Sequence, residues 1–138
     1  GGGRLWCILA IDHETPDVEL ARYGSYLERF ANCAVVTSTP SSKPQFLAAS
    51  HHVLDGVDHC ASFRLVADRG RAMEWVMGEA GGQDTIVIFT NESKLTAHEQ
   101  RADLDQLARS VESHRTACEK ASQAAITDTA PKLSIYLG

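Results

Sequence analysis

Two unbroken runs of apolar and β-branched residues, Leu5-Trp6-Cys7-Ile8-Leu9-Ala10-Ile11 and Thr85-Ile86-Val87-Ile88-Phe89, constrain this chain more than any other feature. A strand with one wet face alternates apolar and polar residues, whereas a continuous run signals a strand covered on both faces. Such strands need helices above and below them, and the intervening segments carry helical spacing. Thr15-Pro16 marks a helix entry, with Thr15 suited to cap and Pro16 to the first turn. Leu20, Tyr23, Leu27 and Phe30 then recur as one stripe. Ala34-Val35-Val36-Thr37 reads as a second strand, stopped by the Ser/Thr/Pro cluster from Ser38 to Pro44. Phe46, Ala49, Val53 and Val57 form a second stripe, which Gly56 helps to end.

Phe63 to Ala67 reads as a third strand, after which Asp68 can cap a helix carrying Ala72, Met73, Val76, Met77 and Ala80. Gly81-Gly82 is a natural helix stop. Beyond the fourth strand, Leu104, Leu107, Ala108 and Val111 give another helical stripe, and Leu133 to Leu137 a last strand. The alternation predicts an α/β fold: a three-layer, Rossmann-like domain. Its sheet of about five or six strands is mainly parallel, with right-handed crossovers and helices on both faces.

A length of 138 residues suits one domain spanning 1–138, with Gly1 to Gly3 read as a tag remnant or linker. The 43% hydrophobic fraction excludes wholesale disorder, and no apolar run is long enough to span a bilayer. Thirteen Lys+Arg against eighteen Asp+Glu, with no basic cluster, argues against nucleic-acid and anionic-membrane partners. The four cysteines are far apart and form no C-x-x-C pair, so they read as buried thiols in a reducing, cytoplasmic protein. No basic segment leads an apolar stretch into a cleavage site, so no signal peptide is expected. Trp6 and Trp75 fall in a strand and a helix, where core or half-buried packing is expected.

Ligands of open α/β sheets bind at the carboxyl ends of the strands. Those positions hold Asp12-His13-Glu14, Thr37 to Ser42, Asp68-Arg69, Thr90-Asn91-Glu92-Ser93 and, after the last strand, Gly138. The candidate cleft residues are therefore Asp12, His13, Thr37, Ser38, Ser41, Ser42, Asp68, Arg69, Asn91 and Ser93. No G-x-G-x-x-G or G-x-x-x-x-G-K-[ST] occurs, so neither a dinucleotide fingerprint nor an ATP phosphate cradle is present. Asp12, His13 and Glu14 could hold Mg²⁺, but a polar strand end leading into a helix accounts for them, and no metal site is assigned. His51-His52 and His59-Cys60 lack zinc spacing, because adjacent helical residues point about 100° apart. No serine sits in G-x-S-x-G. The acids also suggest a phospho-acceptor receiver, but a second acid beside Asp12 and a lysine after the last strand are missing.

Several segments resemble a known family. Asp68-Arg69-Gly70-Arg71-Ala72-Met73 and Ala80-Gly81-Gly82-Gln83-Asp84-Thr85-Ile86-Val87-Ile88 resemble the D-R-x-x-A-I helix and G-x-G-D-x-V-L-I strand of Mur ligase C-terminal domains. The likeness is to the UDP-N-acetylmuramoyl-tripeptide synthetase type, which adds the third amino acid. Phe30-Ala31-Asn32-Cys33-Ala34-Val35-Val36-Thr37-Ser38 resembles that family's A-D-x-V-I-V-T-S strand, and Leu54-Asp55-Gly56-Val57 its D-I-x-x-G-I helix end. Asp103-Leu104-Asp105 resembles the acidic start of its last helix. The resemblance runs from about Arg4 to Arg115 and leaves residues 119–138 unmatched.

In such ligases ATP phosphorylates a carboxylate and an amino group attacks the acyl phosphate. The resemblance therefore implies ATP and Mg²⁺ only for a full-length enzyme, held by an upstream ATP-binding domain of the same or another chain. It implies that this domain closes over that one and selects the amino acid. The family's own site motifs do not carry over. Its D-N-P-R is replaced by Thr39-Pro40-Ser41-Ser42, where only Pro40 matches and the carboxylate-gripping arginine is absent. Its G-G-D-R-D and K-G-H-E segments are replaced by Asp12-His13-Glu14-Thr15 and Asn91-Glu92-Ser93-Lys94. No catalytic residue and no bound cofactor are assigned to this domain alone. The sequence leaves two main expectations: part of an amide ligase working on peptidoglycan precursors, or a degenerate descendant that binds a ligand or a protein partner.

Overall fold

β1 (Leu5–Ile11) lies in the middle of the sheet, which explains why six of its seven residues are buried. The computed structural model describes residues 3–90 and 132–137, together with 98, 99, 101, 102, 105, 106, 108, 109 and 112. After β1 come α1 (Asp17–Phe30), β2 (Cys33–Ser38), a 3-10 turn (Pro40–Gln45) and α2 (Phe46–Leu54). They are followed by β3 (Phe63–Leu65), α3 (Arg69–Glu79), β4 (Thr85–Thr90) and β5 (Lys132–Leu137). The strands lie in the order β3-β2-β1-β4-β5, and every neighbouring pair is parallel. The fold is the expected α/β domain of Rossmann type. β5 falls within the stretch that the family resemblance left unmatched, and it forms the edge of the sheet beside β4.

Alternation along β1 divides the core in two. Cys7, Leu9 and Ile11 face α1 and α2, where they meet Leu20, Leu27, Phe46, Ala49 and Val53. Trp6 and Ile8 face α3, where they meet Ala72, Met73, Val76 and Met77. The chain steps one way along the sheet from β1 through β2 to β3, then reverses to reach β4. Moving the connecting helix to the opposite face at that reversal keeps one crossover hand throughout.

Asp84 ties the amino end of β1 to the turn before β4. Its Oδ1 accepts the Arg4 backbone N–H at 2.7 Å, and its Oδ2 accepts the Trp6 indole at 2.9 Å and the Gly81 N–H at 3.0 Å. Those donors hold its carboxyl down at about 2. Trp6 meets Trp75 edge-on at 5.9 Å, so both tryptophans serve packing as expected.

Four local expectations are corrected. The helix expected from Thr15-Pro16 starts at Asp17 with Pro16 as its cap residue, and Thr15 instead closes a turn onto the Asp12 carbonyl. Phe30 is 66% exposed, because the inward line of α1 runs through Leu20, Gly24 and Leu27 and turns Phe30 onto the flank. β3 stops at Leu65, two residues short of the expected end. The described residues between 98 and 112 are helical, but Ala108 is exposed, whereas Leu104, Leu107 and Val111 lie outside the described residues.

Among the described residues no helix is long and apolar enough to cross a membrane. Cys7 is buried and free, Cys33 half-buried and Cys60 exposed, while Cys118 lies outside the described residues.

Candidate functional site

The strand order reverses at β1, whose neighbours are β2 and β4, so the crevice at this switch point opens above the carboxyl ends of β1, β2 and β4. Here the chain leaves β1 as Asp12-His13-Glu14 and leaves β2 into the 3-10 turn. Asp12 is 5% exposed, and its Oδ1 accepts the Glu14 N–H at 2.9 Å, shaping the loop from within.

The turn after β2 supplies the partner for this loop. Ser42, only 1% exposed, accepts the His13 backbone N–H at 3.0 Å and lies 2.7 Å from His13 Nδ1 and 3.3 Å from Asp12 Oδ1. His13 Nδ1 itself is 3.8 Å from that carboxylate oxygen. Serine, histidine and aspartate thus meet, but both partners address Nδ1. A hydrolytic triad needs the serine and the acid on opposite ring nitrogens. The arrangement instead braces the imidazole through one nitrogen.

Next to Ser42, Lys43 reaches across to Asp68 Oδ2 at 3.0 Å. Asp68 caps α3 by accepting the Arg71 N–H at 3.0 Å, as its position after the third strand suggested. That backbone bond first, and Lys43 second, hold the Asp68 carboxyl below the usual range. Arg69 extends to Thr90 at the end of β4, with Nη1 3.2 Å from Oγ1. Cations from the turn after β2 and from the first residue of α3 therefore stand at the rim, each held by a neighbour.

Of the residues proposed from sequence, Asp12, His13 and Ser42 form one cluster, and Asp68 and Arg69 stand beside the next two strand ends. Thr37 and Ser38 are buried: Thr37 donates to the Ala67 carbonyl at 3.3 Å and Ser38 to the Thr39 carbonyl at 2.7 Å. Their hydroxyls hold backbone rather than face the crevice. Ser41 is exposed on the turn. Asn91, Ser93 and Gly138 lie outside the described residues. Sequence reasoning passed over Lys43 and Thr90 as site residues, although Lys43 follows Ser42 directly.

Among the described residues no group of three His, Cys, Asp or Glu side chains could hold a metal ion. His52 lies between Asp17 at 3.5 Å and Asp55 at 3.6 Å, while His51 is exposed.

The strand order removes the receiver-like reading. A receiver arranges its sheet 2-1-3-4-5, bringing the ends of its first and third strands together. Here β2 separates β1 from β3, so Asp12 and Asp68 belong to strands that are not neighbours.

No family model matches the chain. Among curated proteins it is similar to the UDP-N-acetylmuramoyl-L-alanyl-D-glutamate–2,6-diaminopimelate ligase of Acidovorax sp. (strain JS42). The two are 29% identical over 87 residues, covering 63% of this chain and 17% of that ligase. It is also similar to the protein of the same name from Chromobacterium violaceum, 27% identical over 118 residues, covering 86% of this chain and 23% of the relative. The matches support a distant, Mur ligase-like relationship, and the chain spans less than a quarter of either relative's length.

Proposed function

We propose that this chain is the C-terminal, amino-acid-selecting domain of an ATP-dependent amide ligase acting on a peptidoglycan precursor in the cytoplasm, and that it is not catalytic alone. The observation that carries this reading is the disproportion in coverage. A match of 118 residues takes in 86% of this chain yet 23% of the ligase, which supports reading the chain as the counterpart of one domain-sized part of that relative.

The residues present do not fit the phosphates of ATP. None of the four lysines follows a glycine, and no glycine-rich loop leads from a strand into a helix. Nucleotide and Mg²⁺ then belong to an upstream ATP-binding partner domain. This domain's own contribution is reception of the amine. Asp12 and the outer nitrogen of His13 suit an ammonium group, while Lys43 and Arg69 suit a carboxylate. The Pro40–Gln45 turn joins the two ends, because Ser42 braces His13 and the adjacent Lys43 stands at the rim.

Reading the gene upstream of Gly1 and assaying the full product tests the proposal. A preceding domain with a phosphate-binding loop, and ATP consumption that requires both an amino acid and the UDP-muramoyl-dipeptide, is the expected result. A frame without such a domain, or no amino-acid-dependent ATP consumption, overturns it.

One observation favours the second reading, a non-catalytic ligand- or protein-binding module. Lys43 is held by Asp68 and Arg69 by Thr90, so gripping the carboxylate of an amino acid must first break contacts already made. Retained binding of a ligand or protein at this crevice, in a protein that consumes no ATP, selects that reading.

A further inference from the structure

Among the described residues, none covers the sheet face beside α1 along β4 and β5. A groove of about 630 Å³ runs between α1 and these strands, from Leu27 and Phe30 up to Asp12 and Thr90 at the crevice, with Phe89 and Tyr136 on its sheet wall. Phe89 and Tyr136 stack across the strand pair at 5.5 Å and are 37% and 52% exposed. Parallel sheets are normally covered on both faces, so bare aromatic surface here calls for a cover. Exposed apolar residues continue onto α1. Val18, Arg22, Tyr26 and Phe30 form one i, i+4 ridge, with Val18 73%, Tyr26 50% and Phe30 66% exposed.

The charges of α1 indicate what lies against this ridge. Its first turn carries Asp17 and Glu19, and its last turn carries Arg29. A two-fold axis across the helix at the level of Gly24 brings each residue opposite the one equally far on the other side. Val18 then faces the partner's Phe30, Glu19 the partner's Arg29 and Arg22 the partner's Tyr26. Every correspondence is complementary: apolar with apolar, acid with base, guanidinium with ring. The opposed helix dipoles add to the pairing. A parallel pairing would instead set Arg29 against Arg29 and Glu19 against Glu19.

We propose that this face is a two-fold interface between copies of the chain, with α1 packed antiparallel on α1 and the Phe89–Tyr136 face extending the contact. A helix pair alone falls short of a stable interface, so the exposed sheet aromatics are needed to reach the usual size. The interface sits on α1 and the Phe89–Tyr136 face, so it stands whether or not the ligase reading does.

Light scattering coupled to gel filtration, run across a protein concentration series, reads the result directly. The chain is expected at twice its formula mass. Phe30→Glu and Tyr136→Glu should each give the single-chain mass with an unchanged circular-dichroism spectrum. Leu47→Glu, at an equally exposed apolar position on α2, should leave the dimer intact. Glu19→Arg and Arg29→Glu should each raise the dissociation constant about tenfold, whereas the double variant restores it. A single-chain mass at every concentration overturns the proposal, including the case where the groove then takes up a detergent or an added amphipathic peptide. Failure of the double variant to recover also overturns it, because the antiparallel register requires recovery.

Discussion

The Ser42 hydroxyl stands 2.7 Å from Nδ1 of His13 and accepts that residue's backbone N–H at 3.0 Å, so one buried serine fixes both the ring and the chain of a neighbour 29 positions away. The same oxygen lies 3.3 Å from Asp12 Oδ1. A hydroxyl has a single proton, and an ionised carboxylate can only accept. All contacts are met when Nδ1–H donates to Ser42 and Ser42 donates to Asp12. The neutral His13 ring is therefore expected to carry its proton on Nδ1, leaving Nε2 as an acceptor. Long-range nitrogen–proton correlation spectra read the tautomer, and a ring protonated on Nε2 refutes the assignment. Ser42→Ala should release the tautomer and cost about 1–3 kcal/mol, since buried polar partners lose their bond.

How much of this was legible in the sequence depended on the range of the physics involved. β1 and β4 could be read because burial on both faces leaves an unbroken apolar run, a local signal. The Asp68 cap could be read because an acid immediately before a helical stripe acts within one turn. Strand order could not be read: placing β1 between β2 and β4 depends on packing between distant segments. The His13–Ser42 contact was hidden for the same reason, although both residues stood among the candidates. Gly24 gave no warning that α2 crosses there, since a glycine beneath a neighbouring helix looks locally like any other. Thr37 and Ser38 misled because a hydroxyl at a strand end serves backbone as readily as a ligand.

Asp84 makes the fold acid-sensitive. Its carboxyl is held at about 2 in the folded protein, first by the Arg4 backbone N–H and then by the Gly81 N–H and the Trp6 indole, against about 3.9 for a free aspartate. The depressed value means that the folded state favours the ionised form. The resulting stability is complete above about pH 4 and is lost as the pH falls towards 2. It amounts to roughly 2 kcal/mol. Urea unfolding at pH 7, 4 and 2.5 should show the loss in the native chain. Asp84→Asn should begin about 2 kcal/mol less stable and lose less over the same interval. Parallel pH profiles for the two proteins would rule Asp84 out as the source.

The thiols should separate by reactivity. Burial pushes the Cys7 thiol up to about 11, because a thiolate between β1 and α1 would be poorly solvated. Cys60 is exposed. A maleimide at neutral pH should label Cys60 first, with Cys7 modified only at the rate of global unfolding. Peptide mapping after timed quenching distinguishes the two, and rapid native-state labelling of Cys7 would contradict its burial.

Two glycines in helices should respond to alanine with opposite signs. At Gly24 a methyl group would press into the Val53 carbonyl of α2, where α1 and α2 cross closely. Backbone cannot rotate aside as a side chain can, so the helices must move apart and disturb the layer containing Leu20, Leu27 and Val53. Overpacking of this kind costs about 1–3 kcal/mol. At Gly78 on α3 the same methyl meets nothing within 4 Å, and the site is exposed. Alanine there removes only the excess freedom of glycine in the unfolded chain, a gain of about 0.5–1 kcal/mol. Denaturant midpoints of the two variants should therefore fall on either side of the parent. A Gly24→Ala protein as stable as the parent would show that α1 and α2 do not approach as closely as the backbone contact requires.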